Sequence, residues 1–350
     1  MKNLVSAFCV MFVLLAASAA HSQVVLKEKI SRASEETSLA RPMALGEAYT
    51  AIAEGCGGLV YNPAGMSSKV AYSIMAASQF KPTGGEMSFT GSIVDSATTV
   101  LAAGLMYTFQ QYDYWQFWND DDLAWLGAHP IYADEGLDVE TNYENADEVT
   151  GYRRMFGQFK DGLVRRHVAR LALGGAITPN VHMGALVKYM YADRPNRHNV
   201  NSANIDLGML FTTDFGLRVG VAGYNLINSA YVNWPLRFAV GVGYSITDEL
   251  YIDYDQVLVI NAYKERLPDD LKYTYDYDDV DPAYRFGIEY IAVRVFSMRA
   301  GYQYDDVMSQ HFVSGGIAYI HESFTIGASY NQALPDYDDR LMGVEFEFRL

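Results

Sequence analysis

The clearest feature of the chain is a strict alternation of apolar and polar residues at its C-terminal end. In RLMGVEFEFRL (340–350), every second residue from Met342 onward is apolar, and the residues between are glycine or charged. The same period of two recurs in VHMGALVKYMYA (181–192) and FSMRAGYQY (296–304). Successive side chains of a β-strand point to opposite faces, so each segment is predicted to be a strand whose faces meet different surroundings.

Turn residues separate the alternating segments, and the two signals together predict fourteen strands after Gly65. The predicted strands are 69–80, 86–94, 98–110, 163–177, 181–192, 203–212, 217–226, 236–246, 250–261, 283–293, 296–304, 311–320, 324–331 and 340–350. The connections between them alternate along the chain between tight turns, such as TPN and ITDE, and longer segments, such as 111–162 and 262–282.

Two architectures are compatible with such strands. A soluble sandwich turns the apolar faces inward, whereas a transmembrane barrel turns them toward lipid. The strands are long, at about ten residues against a usual five or six, and tyrosines cluster near their ends like an interfacial girdle. Tight turns on one side and long loops on the other are typical of an outer-membrane barrel. A sheet in the membrane also has to close on itself, because lipid offers no hydrogen-bond partner to the backbone groups of a free edge. The fold class is therefore predicted as all-β, a transmembrane antiparallel β-barrel of about 14 strands.

In this barrel the charged faces of the strands point into the lumen. The predicted inward charges are Lys188, Asp253, Asp255, Arg285, Glu289, Arg299, Glu345, Glu347 and Arg349. Because their signs are mixed, they either line a wet lumen or pair with something that fills it.

The N-terminus predicts export. A short positive start, Met1-Lys2, precedes an apolar stretch from Leu4 to Ala20, and small residues follow, so residues 1–22 are predicted to be a signal peptide cleaved after Ala19 or Ser22. A retained membrane anchor is the alternative, but the run is short for one. The predicted location is the bacterial outer membrane.

Composition narrows the possible partners. The formal charge of −16 argues against nucleic acid, because acidic surfaces repel phosphate. Removing the leader leaves Cys56 as the one cysteine, so no intrachain disulfide is possible. The expected partners of such a barrel are outer-membrane lipids and lipopolysaccharide, and the barrel-assembly machinery, which would recognise the C-terminal strand.

One stretch does not alternate. ARPMALGEAYTAIAEGCGGLVYNPAG (40–65) is small, apolar and rich in glycine, and it precedes the first strand. A barrel of about fourteen strands encloses more space than its own side chains fill, since about eight strands pack solid. Residues 23–66 are therefore predicted to be an N-terminal periplasmic segment and lumenal plug, with a short helix near 42–53, and residues 67–350 the barrel.

The same stretch resembles the N-terminal hatch of the FadL-type outer-membrane transporters of long-chain fatty acids and other hydrophobic compounds. The matching plug residues are Arg41, Leu45, Gly46, Ala48, Tyr49, Ala51, Ala53, Tyr61, Asn62, Pro63, Ala64 and Gly65. Glu47 departs from the family pattern, which usually has a second glycine there, and Cys56-Gly57-Gly58 departs as well. Related PorV-type barrels carry a similar opening and serve secretion and surface assembly, so a scaffold function is the alternative, and a plain porin-like barrel is a third.

The resemblance implies that the partners include hydrophobic small molecules such as fatty acids. These would be taken up passively through an apolar extracellular pocket and leave sideways at a kinked third strand. The weak point expected for that kink is Ala103 and Gly104. The residues expected to bind the ligand are Met106, Phe109, Tyr112, Trp115, Phe117, Trp118 and Trp125. An aromatic cluster with a polar rim suits capture of an apolar molecule, whereas the alternative is that these rings pack the loop against itself or the lipid interface.

No motif in the sequence predicts catalysis. The acidic runs at 120–122 and 276–281 lack the spacing of a calcium loop and are expected to be solvated loop charge. No nucleophile motif accompanies the histidines near loops, and His167, His182 and His321 are expected at periplasmic strand ends or in the lumen. We therefore predict no catalytic residues, no metal site and no cofactor.

Overall fold

The computed structural model describes residues 38–82, 86–113, 163–193, 200–227, 235–260, 280–306, 310–334 and 339–350. Fourteen antiparallel strands close into one barrel, in which each strand pairs with its neighbours in sequence and β1 pairs with β14. The strands are β1 (Tyr72–Phe80), β2 (Met87–Asp95), β3 (Leu101–Asp113), β4 (Leu163–Thr178), β5 (Val181–Asp193), β6 (Val200–Thr212), β7 (Leu217–Tyr224), β8 (Leu236–Ser245), β9 (Leu250–Ile260), β10 (Val280–Ala292), β11 (Phe296–Asp305), β12 (Gln310–Ile320), β13 (Phe324–Leu334) and β14 (Arg340–Arg349). The predicted fold class and every predicted strand are confirmed, with ends shifted by a few residues.

The two faces of the wall are separated as the alternation predicted. On β14, Phe346 is 44% exposed on the outer face, whereas Glu345 and Glu347 are each 9% exposed. Every strand presents a large apolar side chain outward; one from each is Ile74, Phe89, Leu105, Leu171, Val187, Leu207, Val221, Val240, Leu258, Phe286, Met298, Ile317, Ile326 and Val344. A continuous apolar belt around a closed barrel is typical of membrane-spanning barrels and exceeds what soluble proteins expose.

The two ends of the barrel differ in their connections. One end carries the turns 96–100, 179–180, 213–216, 246–249, 293–295 and 321–323, and we call it the short-turn end. The opposite end, here called the long-loop end, carries the remaining connections, among them 114–162 and 261–279, which lie outside the described residues. The start of β1 and the end of β14 meet at the short-turn end, where Tyr72 and Leu350 exchange backbone hydrogen bonds of 2.9 and 3.1 Å.

Residues 38–68, here called the internal segment, pack against the inward face of the wall. They form two short helices, α1 (Ala40–Ala44) and α2 (Gly58–Tyr61), with 3-10 turns at Gly55–Gly57 and Pro63–Ser67. No helix among the described residues has the length and apolar character needed to cross a bilayer.

The helix predicted near 42–53 is wrong in its extent, since α1 ends at Ala44. Gly46 and Glu47 follow with φ angles of +62° and +65°. The left-handed region does not continue a right-handed helix, so the chain turns at these two residues instead.

Candidate functional site

Arg41 fixes the first turn of the internal segment to the barrel wall. Its Nη2 lies 2.9 Å from Glu289 Oε2 on β10, and its Nη1 lies 2.8 Å from Glu54 Oε1 within the segment. Nη1 also donates to the Tyr49 hydroxyl at 3.2 Å, and the guanidinium carbon lies 5.4 Å from the centre of that ring. Glu289 accepts a further bond of 2.7 Å from Arg299 Nε. The network therefore joins the segment to two neighbouring strands.

Burial and the neighbouring charges shift the pKa values of Glu54 and Arg41 in opposite directions. Burial raises the pKa of Glu54, but the positive charges of Arg41 and Lys69 outweigh it and hold that pKa at about 2. Burial lowers the pKa of Arg41, yet Glu289, Tyr49 and Glu54 outweigh it, so the pKa lies well above its ordinary value. Both groups are charged at neutral pH, and the contact is a true ion pair.

Asp255 on β9 holds the middle of the segment. Its Oδ2 accepts from the backbone N–H groups of Tyr49 and Thr50 at 2.8 and 2.7 Å. A buried backbone N–H without a partner is costly, and both amides are buried at this point. The inward aspartate thus satisfies backbone donors that the turn leaves without helical partners.

The contacts of Glu47 account for a glutamate at a position where the family pattern has glycine. Its φ of +65° is a conformation that glycine adopts without a steric cost, which is why a glycine suits this position. Here the glutamate carboxylate accepts hydrogen bonds from the hydroxyls of Ser38 and Tyr61. Tyr61 also packs edge-on against Tyr49, with ring centres 5.2 Å apart. These contacts offset the strained backbone.

The Asn62-Pro63-Ala64-Gly65 turn is a second attachment to the wall. Asn62 Nδ2 donates to Met209 O on β6 at 2.9 Å and to Thr50 O at 3.0 Å, while its Oδ1 caps the next turn by accepting from Ala64 N at 3.1 Å. At Gly65 a Cβ atom would lie 2.2 Å from Ala53 O, so only glycine fits there. The predicted motif residues are thus brought together by this turn and the Arg41 network.

The wall facing the segment is lined by glycines, which we call the glycine belt. A Cβ atom at any of them would come within 3.0 Å of the internal segment: Gly104, Gly174, Gly184, Gly208, Gly220, Gly241, Gly287, Gly301, Gly316 and Gly343. Several are direct cross-strand partners, as Gly184 is of both Gly174 and Gly208. A strand glycine weakens the strand but lets another backbone approach closely. The belt therefore gives the segment its room.

The interior toward the long-loop end is lined differently. On β7–β10, β12 and β13 a set of buried apolar residues, here called the apolar patch, comprises Ala222, Tyr224, Ala239, Val257, Val259, Ala283, Phe312 and Ala333. Across the barrel, β4 and β5 carry Arg166, Arg170 and Lys188, here called the basic wall, all at most 1% exposed. Lys188 Nζ lies 2.9 Å from Asp206 Oδ2. One end of the lumen thus combines an apolar surface with buried cations.

A cavity of about 170 Å³ lies beneath the segment, toward the short-turn end. Its charged lining residues are Arg41, Glu54, Lys69, Glu289, Arg299, Glu345, Glu347 and Arg349. Arg349 Nη2 pairs with Glu347 Oε2 at 2.5 Å. The described residues hold no group of three or more His, Cys, Asp or Glu side chains placed to bind a metal ion.

The predicted ligand-binding residues do not form one site in the described part of the chain. Met106 is fully buried on the inward face of β3, whereas Phe109 lies on the outer face, 5.3 Å from the ring of His167. Tyr112 lies at the end of β3. The remaining predicted residues, Trp115, Phe117, Trp118 and Trp125, lie outside the described residues.

The hydrogen-bonding register of β3 shows no break at the predicted lateral exit. Ala103 and Gly104 keep an unbroken register with β2 and with β4. Gly104 faces Leu59 and Met66 of the internal segment, where its Cβ would lie 2.7 and 2.8 Å from their side chains. Close packing of the segment accounts for this glycine, and lateral exit stays a prediction.

Comparison with known proteins agrees with this architecture. No family model matches the sequence, and no curated protein matches it either. Among solved structures, the toluene transporter TbuX of Ralstonia pickettii has a TM-score of 0.56 at 13% identity and covers 89% of this chain and 98% of that one. The toluene transporter TodX of Pseudomonas putida gives 0.53 at 10%, covering 88% and 95%. A Pseudomonas aeruginosa FadL homologue gives 0.51 at 11%, covering 93% and 99%. The chain therefore has the barrel fold of the FadL-type transporters, as its N-terminal motif predicted.

Proposed function

We propose that this protein is an outer-membrane channel through which hydrophobic small molecules, including long-chain fatty acids, enter by passive transport. The observation that carries the proposal is the apolar patch. Lumens of water-filled barrels are polar, whereas binding pockets for small hydrophobic ligands are mostly apolar with a few polar groups. Here apolar side chains face the lumen on six strands, in addition to the apolar belt outside.

The basic wall favours an amphipathic ligand. An alkyl chain fits against the apolar patch, and a carboxylate suits the side of the lumen that carries Arg170 and Lys188. Both cations already have partners, Thr108 at 3.2 Å and Asp206 at 2.9 Å, so a ligand carboxylate would have to share or replace them. Long-chain alkanoates combine both features.

The placement in the membrane follows from the connections. In outer-membrane barrels the short turns lie in the periplasm and the long loops outside, which places the apolar patch toward the cell surface and the internal segment toward the periplasm. In this arrangement the internal segment acts as a plug, and transport requires it to move. β14, which closes the barrel against β1 and is apolar on its outer face, would be the strand presented to the assembly machinery.

A reversible cross-link tests both transport and the plug. Ala51 of the segment and Gly243 of β8 are suited to a disulfide, because a Cβ at Gly243 lies 3.7 Å from the Ala51 Cβ, near the ~3.8 Å typical of disulfides. The same Cβ would lie 2.7 Å from Ile52 Cγ2, so the single variant Gly243→Cys is the control for that contact. Cells that lack their own hydrophobic-compound channel would express Ala51→Cys/Gly243→Cys in a Cys56→Ala background. We expect uptake of labelled alkanoates when the pair is reduced and loss of uptake when it is oxidised.

Two results would count against the proposal. Uptake no faster than in cells without the protein would contradict transport, and equal uptake in both redox states would contradict a moving plug.

A further test concerns the loop aromatics: Trp115→Ala with Trp118→Ala should weaken binding of fatty acids if those rings capture the ligand, and unchanged binding would remove them from the site.

A scaffold for secretion or surface assembly is the second candidate, and the ion pairs of the interior favour it. Arg41, Glu289 and Arg299 form a buried network that ties the segment in place, which suits a barrel that stays closed. Such a protein would show no alkanoate uptake in either redox state of the cysteine pair. It would instead be recovered with a secreted partner bound at the cell surface.

A further inference from the structure

A cluster of rings and charge lies on the outer face of the barrel near the long-loop end. We call it the outer-face cluster, comprising Tyr107, Phe109, Arg165, His167 and Tyr191. The rings of Phe109 and Tyr191 lie 5.3 and 6.1 Å from His167, and the Tyr107 hydroxyl lies 2.6 Å from His167 Nδ1. The expectation that His167 lies at a periplasmic strand end or in the lumen is therefore wrong, because its odd position on β4 faces outward.

The tautomer of His167 sets the direction of its hydrogen bond with Tyr107 and decides what the other ring nitrogen offers to its surroundings. In the tautomer with its proton on Nε2, the tyrosine hydroxyl donates to Nδ1 and an N–H donor remains on the far side of the ring. The flanking rings hold the imidazole in this orientation. His167 is only partly buried, so this donor is available to a molecule beside the barrel.

Arg165 adds a positive charge two residues along the same face. Its side chain is exposed, and on β4 it precedes the apolar outward residues Leu171 and Leu173, which are 59% and 54% exposed. An arginine just beyond the apolar belt lies at the level of lipid headgroups, where aromatic girdles also occur. Asp193 is its cross-strand partner on β5, so a carboxylate lies on the neighbouring strand.

The barrel contains a second Tyr–His pair that lacks the cation. On β11 and β12 the Tyr302 hydroxyl lies 2.7 Å from His311 Nδ1, and the Tyr304 ring lies 4.8 Å from the imidazole. Both pairs begin with the seventh residue of an odd-numbered strand. On β11–β13 no Arg or Lys faces outward among the described residues. The second pair is therefore a matched reference for the first.

We propose that the outer-face cluster binds a phosphate group of a glycolipid headgroup in the outer leaflet. Arg165 supplies a planar set of N–H donors that matches phosphate, and His167 Nε2 supplies one more, while the surrounding rings contact the sugar and the start of the acyl chains. The proposal depends on the orientation of the barrel in the membrane and not on what passes through it, so it fails or stands separately from transport.

The test is a titration of the full-length protein in detergent micelles with bisphosphorylated lipid A, followed by native mass spectrometry. Dephosphorylated lipid A and inorganic phosphate are the comparison ligands. We expect the bisphosphorylated form to bind at least about tenfold more tightly than the dephosphorylated one, because hydrogen bonds to charged groups are worth more than a tenfold factor each. Arg165→Gln and His167→Gln should each remove most of that difference.

Three variants sharpen the result. His311→Gln should leave binding unchanged, Asp193→Asn should tighten it by removing the competing carboxylate, and Arg165→Lys should retain part of it. Heat-modifiable migration on gels verifies that each barrel is folded. Equal binding of the two lipid A forms, equal loss in His311→Gln, or binding of inorganic phosphate as tight as that of the lipid would each overturn the proposal.

Discussion

The lumen has two halves that are built on the same strands and lined by opposite kinds of residue. Toward the short-turn end, the wall presents glycines and ion pairs to the internal segment. Toward the long-loop end, the same strands present the apolar patch and the basic wall. On β7 the change takes place between Gly220 and Ala222, and on β8 between their cross-strand partners Gly241 and Ala239. Each change spans one inward step, about 7 Å of strand.

The difference shows what each half is shaped to hold. Glycines and inward carboxylates accommodate a backbone, because they leave room for it and satisfy its N–H groups, as Asp255 does for Tyr49 and Thr50. The apolar side chains of the patch suit molecules that bring no backbone donors of their own. We therefore interpret the first half as the seat of a chain segment and the second as the ligand-binding half.

Deleting residues 33–66 should have the largest effect on the difference between the two halves of the lumen. A wall of this many strands does not fill its own lumen, since about eight strands is the size that packs solid, so the deletion should open a water-filled path. We expect large, stable ion conductance in planar bilayers for the deleted form and little for the full-length protein. Unchanged conductance would mean that the segment does not close the barrel.

A smaller change adds a side chain at one position of the glycine belt. In Gly184→Val the added side chain meets Pro63, since even a Cβ would lie 2.4 Å from its carbonyl carbon. Overpacking of this kind costs about 1–3 kcal/mol, so the segment should loosen and conductance should appear in bursts. Gly91→Val is the matched control, because a Cβ at Gly91 has nothing within 4 Å. Equal effects of both would show that the belt is not specific to the segment.

The sequence predicts the strands of the barrel wall far better than it predicts the contacts that hold the internal segment in the lumen. Lipid outside and charge inside impose a period of two on every strand, so all strands could be recognised locally. The anchors of the segment join positions far apart in the chain, as Asp255 and Tyr49 are, and no local pattern reveals such a pairing. Glu47 misled the helix prediction, because its left-handed backbone is maintained by tertiary contacts to Ser38 and Tyr61.

Two signals were nevertheless present in the sequence. Met106 and Phe109 are three residues apart on one strand, and an odd spacing places two side chains on opposite faces, which already separates them. Gly174, Gly184 and Gly208 all fall at inward-facing positions of successive strands, where a packed lumen would need larger residues. Recurring inward glycines indicate that a backbone lies against the wall.

Acid should weaken the ion pair between Glu54 and Arg41 that holds the internal segment. The pKa of Glu54 is lowered to about 2 from its ordinary 4.5, so its pairing with Arg41 contributes fully above pH 4.5 and is lost as the pH falls toward 2. We expect conductance of the wild type to rise as the pH is lowered from 5 to 3. Glu54→Gln should conduct more at pH 7 and respond less to acid. An identical acid response in that variant would assign the effect to other carboxyl groups.

Cys56 offers the mildest test, because it reports motion of the segment without disturbing it. Its thiol is 1% exposed and lies 3.8 Å from Ser73 O of β1, and burial raises its pKa from 9 to about 12. At pH 8 only about one thiol in ten thousand is then ionised, so iodoacetamide should react very slowly with the wild type. Arg41→Ala releases the nearby anchor and should speed labelling several-fold. Labelling as fast in the wild type as in unfolded protein would contradict a closely packed seat, and equal slow rates in both would show that Arg41 does not hold the segment against β1.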